Sequence, residues 1–305
     1  MSQSNSEAIA HLEKKKTRAL ARSIPAQETA FGCPRDFLDN RFVYVVVSAR
    51  ARGLSVGVNM NPDKQCNFEC VYCEVHRNDP PRETSLDVDA MAAELKKTLT
   101  MVREGSLRER PWYHALPDEL LQLRHVALSG DGEPTLTPNF AEIVQAVVHV
   151  RALGGFPFFK LVLMTNATGL DQPHVQQGLK FFTRSDEIWA KLDGGTQAYL
   201  NKVDQMNVPL DSVLNKILTL ARQRPVVIQS LFPSINGEEP PLEEIEQYAQ
   251  RLRQLKSQGA QIPLVQIYSA TRPTPNSGIS HLPLKTLSRI AQTVRQVAGL
   301  KAEVF

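Results

Sequence analysis

Two rhythms of apolar and polar positions run along this chain. Short apolar runs occur at 54–58, 126–128, 161–164, 188–192, 226–231 and 264–268. Between and after them, apolar residues recur every three or four positions at 89–102, 140–153, 175–182, 210–223, 242–255 and 284–297. Short continuous apolar runs predict strands covered on both faces, and the 3.6-residue spacing predicts amphipathic helices. Strand followed by helix, six times over, predicts a parallel sheet with right-handed crossovers. The fold class is therefore α/β, as an incomplete barrel or an open doubly wound sheet. In either shape the chemistry belongs at the C-terminal ends of the strands, where the βα loops converge.

The flanks follow a different pattern. Residues 42–47 are rich in β-branched side chains and predict an edge strand or hairpin arm, with Ala51-Arg52-Gly53 turning the chain back. Residues 1 to about 40 are polar and carry the basic patch Lys14-Lys15-Lys16-Thr17-Arg18, expected to be a solvated helix face, with a surface that meets an anionic partner as the alternative. Residues 105–118 are left unassigned as an insertion, and 302–305 form a short tail. The expected division is an N-terminal extension with its edge strand over 1–50 and one core domain over 51–305.

Composition adds a few limits. With 42% hydrophobic and 22% charged residues the chain has the profile of a globular protein with a sizeable core. No apolar run approaches the roughly 18 residues of a membrane span, and the N-terminus lacks a signal-peptide pattern, so a cytoplasmic protein is expected. A net charge of +3 is too small to point to a nucleic acid. Nucleic acid, peptide and small molecule all stay open as substrates.

The cysteines change the picture. Of four, three crowd into the segment 61–73, Asn61-Pro62-Asp63-Lys64-Gln65-Cys66-Asn67-Phe68-Glu69-Cys70-Val71-Tyr72-Cys73, directly after the first core strand. Neighbours this close make no disulfide framework and suit a metal in a reducing compartment. Three thiolates on one loop can converge on an iron-sulfur cluster, whose irons otherwise take four cysteines. The missing ligand leaves one iron open to the amine and carboxylate of an amino acid. The competing occupant is zinc: His76 completes a Cys3His set with Cys66, Cys70 and Cys73, which would make the chain a zinc-stabilised α/β binding module. Cys33, followed by Pro34, stands apart and reads as structural.

The other strand ends carry polar groups too. Ser129-Gly130-Asp131-Gly132-Glu133 places glycines, which permit close backbone approach, around acids. Thr165 and Asn166 tip the third strand, where they can bond a ribose or simply form a turn. Lys191 and Asp193 share one strand face, as ligands of a cofactor or substrate or as a structural ion pair. Gln229 and Gln266, on the next two strands, are candidates for an adenine edge or a substrate pocket.

Taken together, SVGVNMNPDKQCNFECVYCEVHR, LSGDGEPTLTPNF, VLMTNATGL, IWAKLDGGTQAYLNKV and IYSATRP resemble the radical S-adenosylmethionine (radical SAM) superfamily. Within it they look like the iron-sulfur oxidoreductase branch that includes the tRNA wyosine synthases. Tyr72 occupies the aromatic position of the superfamily's CxxxCxφC motif, and Gly130 to Glu133 is similar to its GGE motif with Asp131 replacing one glycine. The resemblance implies a partial (βα)6 TIM-like barrel, a 4Fe-4S cluster on the three cysteines, and SAM as cofactor. It implies reductive cleavage of SAM to a 5′-deoxyadenosyl radical that abstracts hydrogen from the substrate. Tyr72, Gly130, Asp131, Gly132, Glu133, Asn166, Lys191, Asp193 and Gln229 are the implied cofactor-binding residues, with Glu133 holding the methionyl ammonium. No protein side chain is assigned the catalytic step. The implied partner is an electron donor such as flavodoxin or ferredoxin. Use of SAM as a methyl or aminocarboxypropyl donor is a third reading.

Overall fold

The computed structural model of the chain describes residues 37–305 together with Phe31, so the patch at 14–18 and Cys33 lie outside the described residues. An antiparallel hairpin of β1 (Val43–Ser48) and β2 (Gly53–Asn59) opens the sheet. Then follow α1 (Val88–Glu104), α2 (Asp118–Leu121), β3 (Leu123–Ser129), α3 (Phe140–Ala152), β4 (Lys160–Thr165), α4 (Pro173–Leu179) and β5 (Glu187–Lys191). The second half comprises α5 (Gln197–Val203), α6 (Leu210–Gln223), β6 (Val227–Leu231), β7 (Ser234–Ile235), α7 (Leu242–Ser257), β8 (Val265–Tyr268), β9 (Ile279–Ser280), α8 (Leu284–Ala298) and β10 (Ala302–Val304). The main sheet has the order β1-β2-β3-β4-β5-β6-β8-β10, and each pair after the first is parallel.

Local chemistry sets the element ends. The carboxylate of Asp87 accepts from the amide of Ala90 at 3.0 Å to start α1, and Gly105 ends that helix in the left-handed region at φ 76°. Along the strands, alternate residues face opposite ways. Val126, Leu128, Leu161, Leu163, Ile188 and Ile228 pack under the helices with Leu95, Val147 and Ile217. The other face carries an apolar plug of Val162, Trp189 and Val227. It also carries the buried polar residues Ser55, His125, Gln229 and Gln266.

Eight strands laid flat would separate the sheet edges by roughly 34 Å. Instead, the turn between β1 and β2 reaches the far edge: Arg52 pairs with Glu303 at 2.7 Å, and the Arg50 guanidinium lies 4.1 Å from the centre of the Tyr268 ring. The sheet is thus curled into a half-barrel with the helices on its convex side. The expected α/β partial barrel is present, and every expected core strand and helix appears within a few residues of its place.

Three features depart from the expectation. Residues 302–304 are β10, paired in parallel with β8, rather than a tail. Three residues are too few to show a period, and only the free edge of β8 makes them a strand. The short helices α2 and α5 and the β7–β9 pair are likewise added to the six predicted units. β3 begins at Leu123 because His125, polar in sequence, joins the ladder between β2 and β4, while Arg124 bulges out of the pairing with β2.

Candidate functional site

The cysteine loop leaves β2 at the C-terminal mouth of the half-barrel. Cys66, Cys70 and Cys73 are half-buried and unbridged. Burial pushes the Cys66 and Cys70 thiols up, so a metal must displace their protons on binding. Three strand ends clasp the loop. From β3, the amide of Glu133 donates to the Gln65 carbonyl at 2.9 Å. From β4, the Asn166 side chain donates to Asn67 at 2.8 Å, and Asn67 donates to Thr168 at 2.9 Å. After β5, the carbonyls of Val203 and Asp204 accept from the amides of Val71 and Glu69 at 2.8 and 3.1 Å.

Close approach explains the glycines at 130 and 132. A Cβ on Gly132 would stand 1.8 Å from the Gln65 carbonyl oxygen, and one on Gly130 would stand 2.3 Å from Asn59 Oδ1. Asp131 is bracketed by Asn59, whose Oδ1 accepts from the Asp131 amide at 2.9 Å and whose Nδ2 donates to Asp131 Oδ2 at 2.8 Å. Glu133 is buried and ties β3 to β4. Its Oε1 accepts from the Thr135 amide at 3.1 Å, the Thr135 hydroxyl at 2.6 Å and the Thr165 hydroxyl at 2.5 Å, while Oε2 accepts from the Asn166 amide at 2.7 Å. Burial pushes this carboxyl up, against the pull of those four hydrogen bonds.

A second buried network hangs from Tyr72. Lys191 and Asp193 form an ion pair at 3.0 Å, and Asp193 also accepts from the Leu231 amide at 2.8 Å. The Tyr72 hydroxyl touches Asp193 Oδ2 and, at 2.8 Å, Asp204 Oδ1. A phenol carries one hydrogen, so two carboxylates around it need a second proton. Burial, then the charge on Asp193, push Asp204 up to about 8, which places that proton on Asp204. Burial pulls Lys191 down, but Asp193 and the surrounding anionic groups outweigh it and hold the amine well above its ordinary value. The Lys191 ammonium lies 4.8 Å from the centre of the Tyr72 ring. Gln229 stands beside Lys191 in register, and its amide meets Gln266 at 3.4 Å.

The residues singled out on strand ends thus gather at one mouth, with Gln229 and Gln266 in the same row as Lys191. His76 is exposed, and its carbonyl, not its ring, is held, by Lys64 at 2.6 Å. Among the described residues no three His, Cys, Asp or Glu side chains stand close enough to share one metal ion. Asn59 and Asp204 were not singled out. Asn59 carried the weak signal of a lone polar residue ending an apolar strand, and Asp204 carried none.

No family model matches the chain. A UPF0026 protein of Helicobacter pylori strain J99 is 30% identical over 181 residues, covering 58% of this chain and 49% of that protein. The chain therefore spans about half the length of that relative. Among solved structures, TYW1 with a lysine-pyruvate adduct bound superposes with a TM-score of 0.55 at 14% identity over 85% of each chain. Streptococcus suis SuiB bound to S-adenosylmethionine superposes with a TM-score of 0.54 at 15% identity, over 84% of this chain and 52% of that one. At such identities the likeness is one of architecture: the curled, helix-backed sheet is a partial TIM-like barrel shared with those two structures.

Proposed function

We propose that this chain is a radical SAM enzyme in which Cys66, Cys70 and Cys73 hold a 4Fe-4S cluster whose open iron takes S-adenosylmethionine. The observation that carries the reading is three unbridged thiols on one clasped loop at the barrel mouth, with His76 turned to solvent. SAM in Streptococcus suis SuiB, on the same architecture, supports SAM as the ligand.

When bound, cluster and SAM would supply a one-electron reductive cleavage and, through it, hydrogen abstraction from a substrate. The chain's own residues hold and shield them. Phe68 and Met60, both buried, anchor the loop in the core cluster against which Cys66 and Cys70 pack. Gly130, Asp131 and Gly132 line the mouth with backbone groups, and Glu133 fixes that turn against Thr165 and Asn166. Tyr72 ties the cysteine loop to Asp193 and Lys191 at the end of β5. A flavodoxin-like or ferredoxin-like donor and a reducing, cytoplasmic setting belong to the same proposal.

Anaerobic reconstitution with iron and sulfide tests it. The expected product is a brown protein with about four irons and a band near about 400 nm. The band disappears in the variant with Cys66, Cys70 and Cys73 all changed to Ala, and dithionite with SAM yields 5′-deoxyadenosine. A colourless protein with stoichiometric zinc, released by His76→Ala, would overturn the proposal.

A further inference from the structure

The turn between β1 and β2 carries two arginines with different surroundings. Arg52 pairs with Glu303 at 2.7 Å on the rim. Arg50 crosses the open side of the half-barrel and stacks on Tyr268, 4.1 Å from the ring centre. Among the described residues it has no hydrogen bond and no ion pair, and its Nε is shut off from solvent without an acceptor. A guanidinium has five N–H donors, and a buried donor left unmade is costly.

What Arg50 faces is short of acceptors as well. Tyr268 pairs in register with Leu231, two residues beyond the row formed by Lys191, Gln229 and Gln266. That row points into the barrel. The two amides are buried and share a single long contact of 3.4 Å, which leaves most of their hydrogen-bonding capacity unused. Lys191 has Asp193 on one side and two further N–H donors, and its ammonium lies over Tyr72, in the cluster against which Tyr268 packs. Asp193 is matched by Lys191, which leaves the Arg50 charge without a counterion.

We infer that the barrel interior binds the anionic group of the substrate, a carboxylate or a phosphate, with Arg50 as its principal partner and Lys191, Gln229 and Gln266 beside it. Tyr268 holds the guanidinium against its ring, and a planar fork suits two anion oxygens at once. The inference rests on the radical SAM reading only in calling the ligand a substrate.

Titration of the full-length protein with inorganic phosphate, and separately with acetate, tests it by calorimetry at constant ionic strength set with chloride. Saturable binding of at least one probe to the unaltered chain is expected, tighter for phosphate if the natural group is a phosphate and for acetate if it is a carboxylate. Arg50→Gln should weaken it by about tenfold or more, and Arg50→Lys, which keeps the charge but not the fork, by several-fold. Near-UV circular dichroism checks that each variant is folded, and Arg50→Lys carries the test if Arg50→Gln is not. No saturation with either probe, equal affinity in the folded variants, or a response that chloride reproduces would overturn the inference. The titrations are run with and without reconstituted cluster. A missing cluster band then counts against the iron-sulfur reading alone, and missing saturation against the Arg50 site alone.

Discussion

Gly132 shows how much a single residue decides at this site. Its Cα lies against the cysteine loop so closely that any side chain would enter the Gln65 carbonyl. Gly132→Ala should therefore lower stability by about 3 kcal/mol, read by thermal melting; an unchanged melting temperature would show that the two loops do not meet. His125 is a second case. It is buried on the concave face, with Nε2 2.8 Å from the Ser55 hydroxyl and its ring edge-on to Trp189 at 5.4 Å. Burial, then the charges of Lys160 and Arg50, push it down to about 3 from an ordinary 6.5. Between those values the unfolded chain takes up a proton that the fold refuses. Stability is thus complete above the ordinary value and falls as pH drops toward the folded one, by about 3 kcal/mol from about pH 7 to about pH 4. Denaturant unfolding at the two pH values should show a clearly smaller drop in His125→Asn than in the unaltered chain, and equal drops would clear His125 of that role.

At the scale of elements, side chains from one segment hold the ends of another. Glu94 on α1 accepts from three successive amides at the start of β1, those of Arg41, Phe42 and Val43, at 2.9, 2.9 and 3.1 Å. Glu94→Ala leaves these donors unmatched and should cost about 2 kcal/mol. Hydrogen exchange should locate the loss at the first amides of β1, while exchange in β4 stays as it was. A uniform change across the sheet would point to global unfolding instead. The same logic joins the site: Glu133 and Asn67 connect loops that lie about 30 to 100 positions apart in sequence. Each loop showed its residues in the sequence, but not which loop it would clasp.

For the whole molecule the question is what keeps a curled sheet curled. The Arg52–Glu303 pair spans its open side, yet Arg52 is 70% exposed. Solvent screening leaves such a pair worth less than about 1 kcal/mol, so Arg52→Ala should scarcely move the unfolding midpoint. Arg151 differs. It forks onto Asp186 at 2.7 and 3.2 Å, and Asp186 is buried and also accepts from the amides of Leu161 and Thr183 at 2.7 Å each. Removing that partner by Arg151→Ala strands a buried carboxylate and should cost about 3 kcal/mol in denaturant unfolding. Comparable losses in the two variants would mean that the edge contact, and not the helix-to-sheet packing, closes the barrel.

The strand-helix alternation, the three-cysteine spacing and the glycine-acid turn were all legible in the chain because each is a local pattern: a period, a spacing or a short run. They determined the fold class and the strand ends on which the cysteine loop and the glycine-acid turn lie. Only the tertiary structure decided that residues 302–304 are a strand, that Glu133 bonds Thr165 and Asn166, that Tyr72 sits between two acids, and that Arg50 reaches Tyr268. The first three depend on which strands become neighbours and where their loops meet, and the last on the sheet curling, which brings the β1–β2 turn onto β8. No pattern confined to neighbouring residues records that closure.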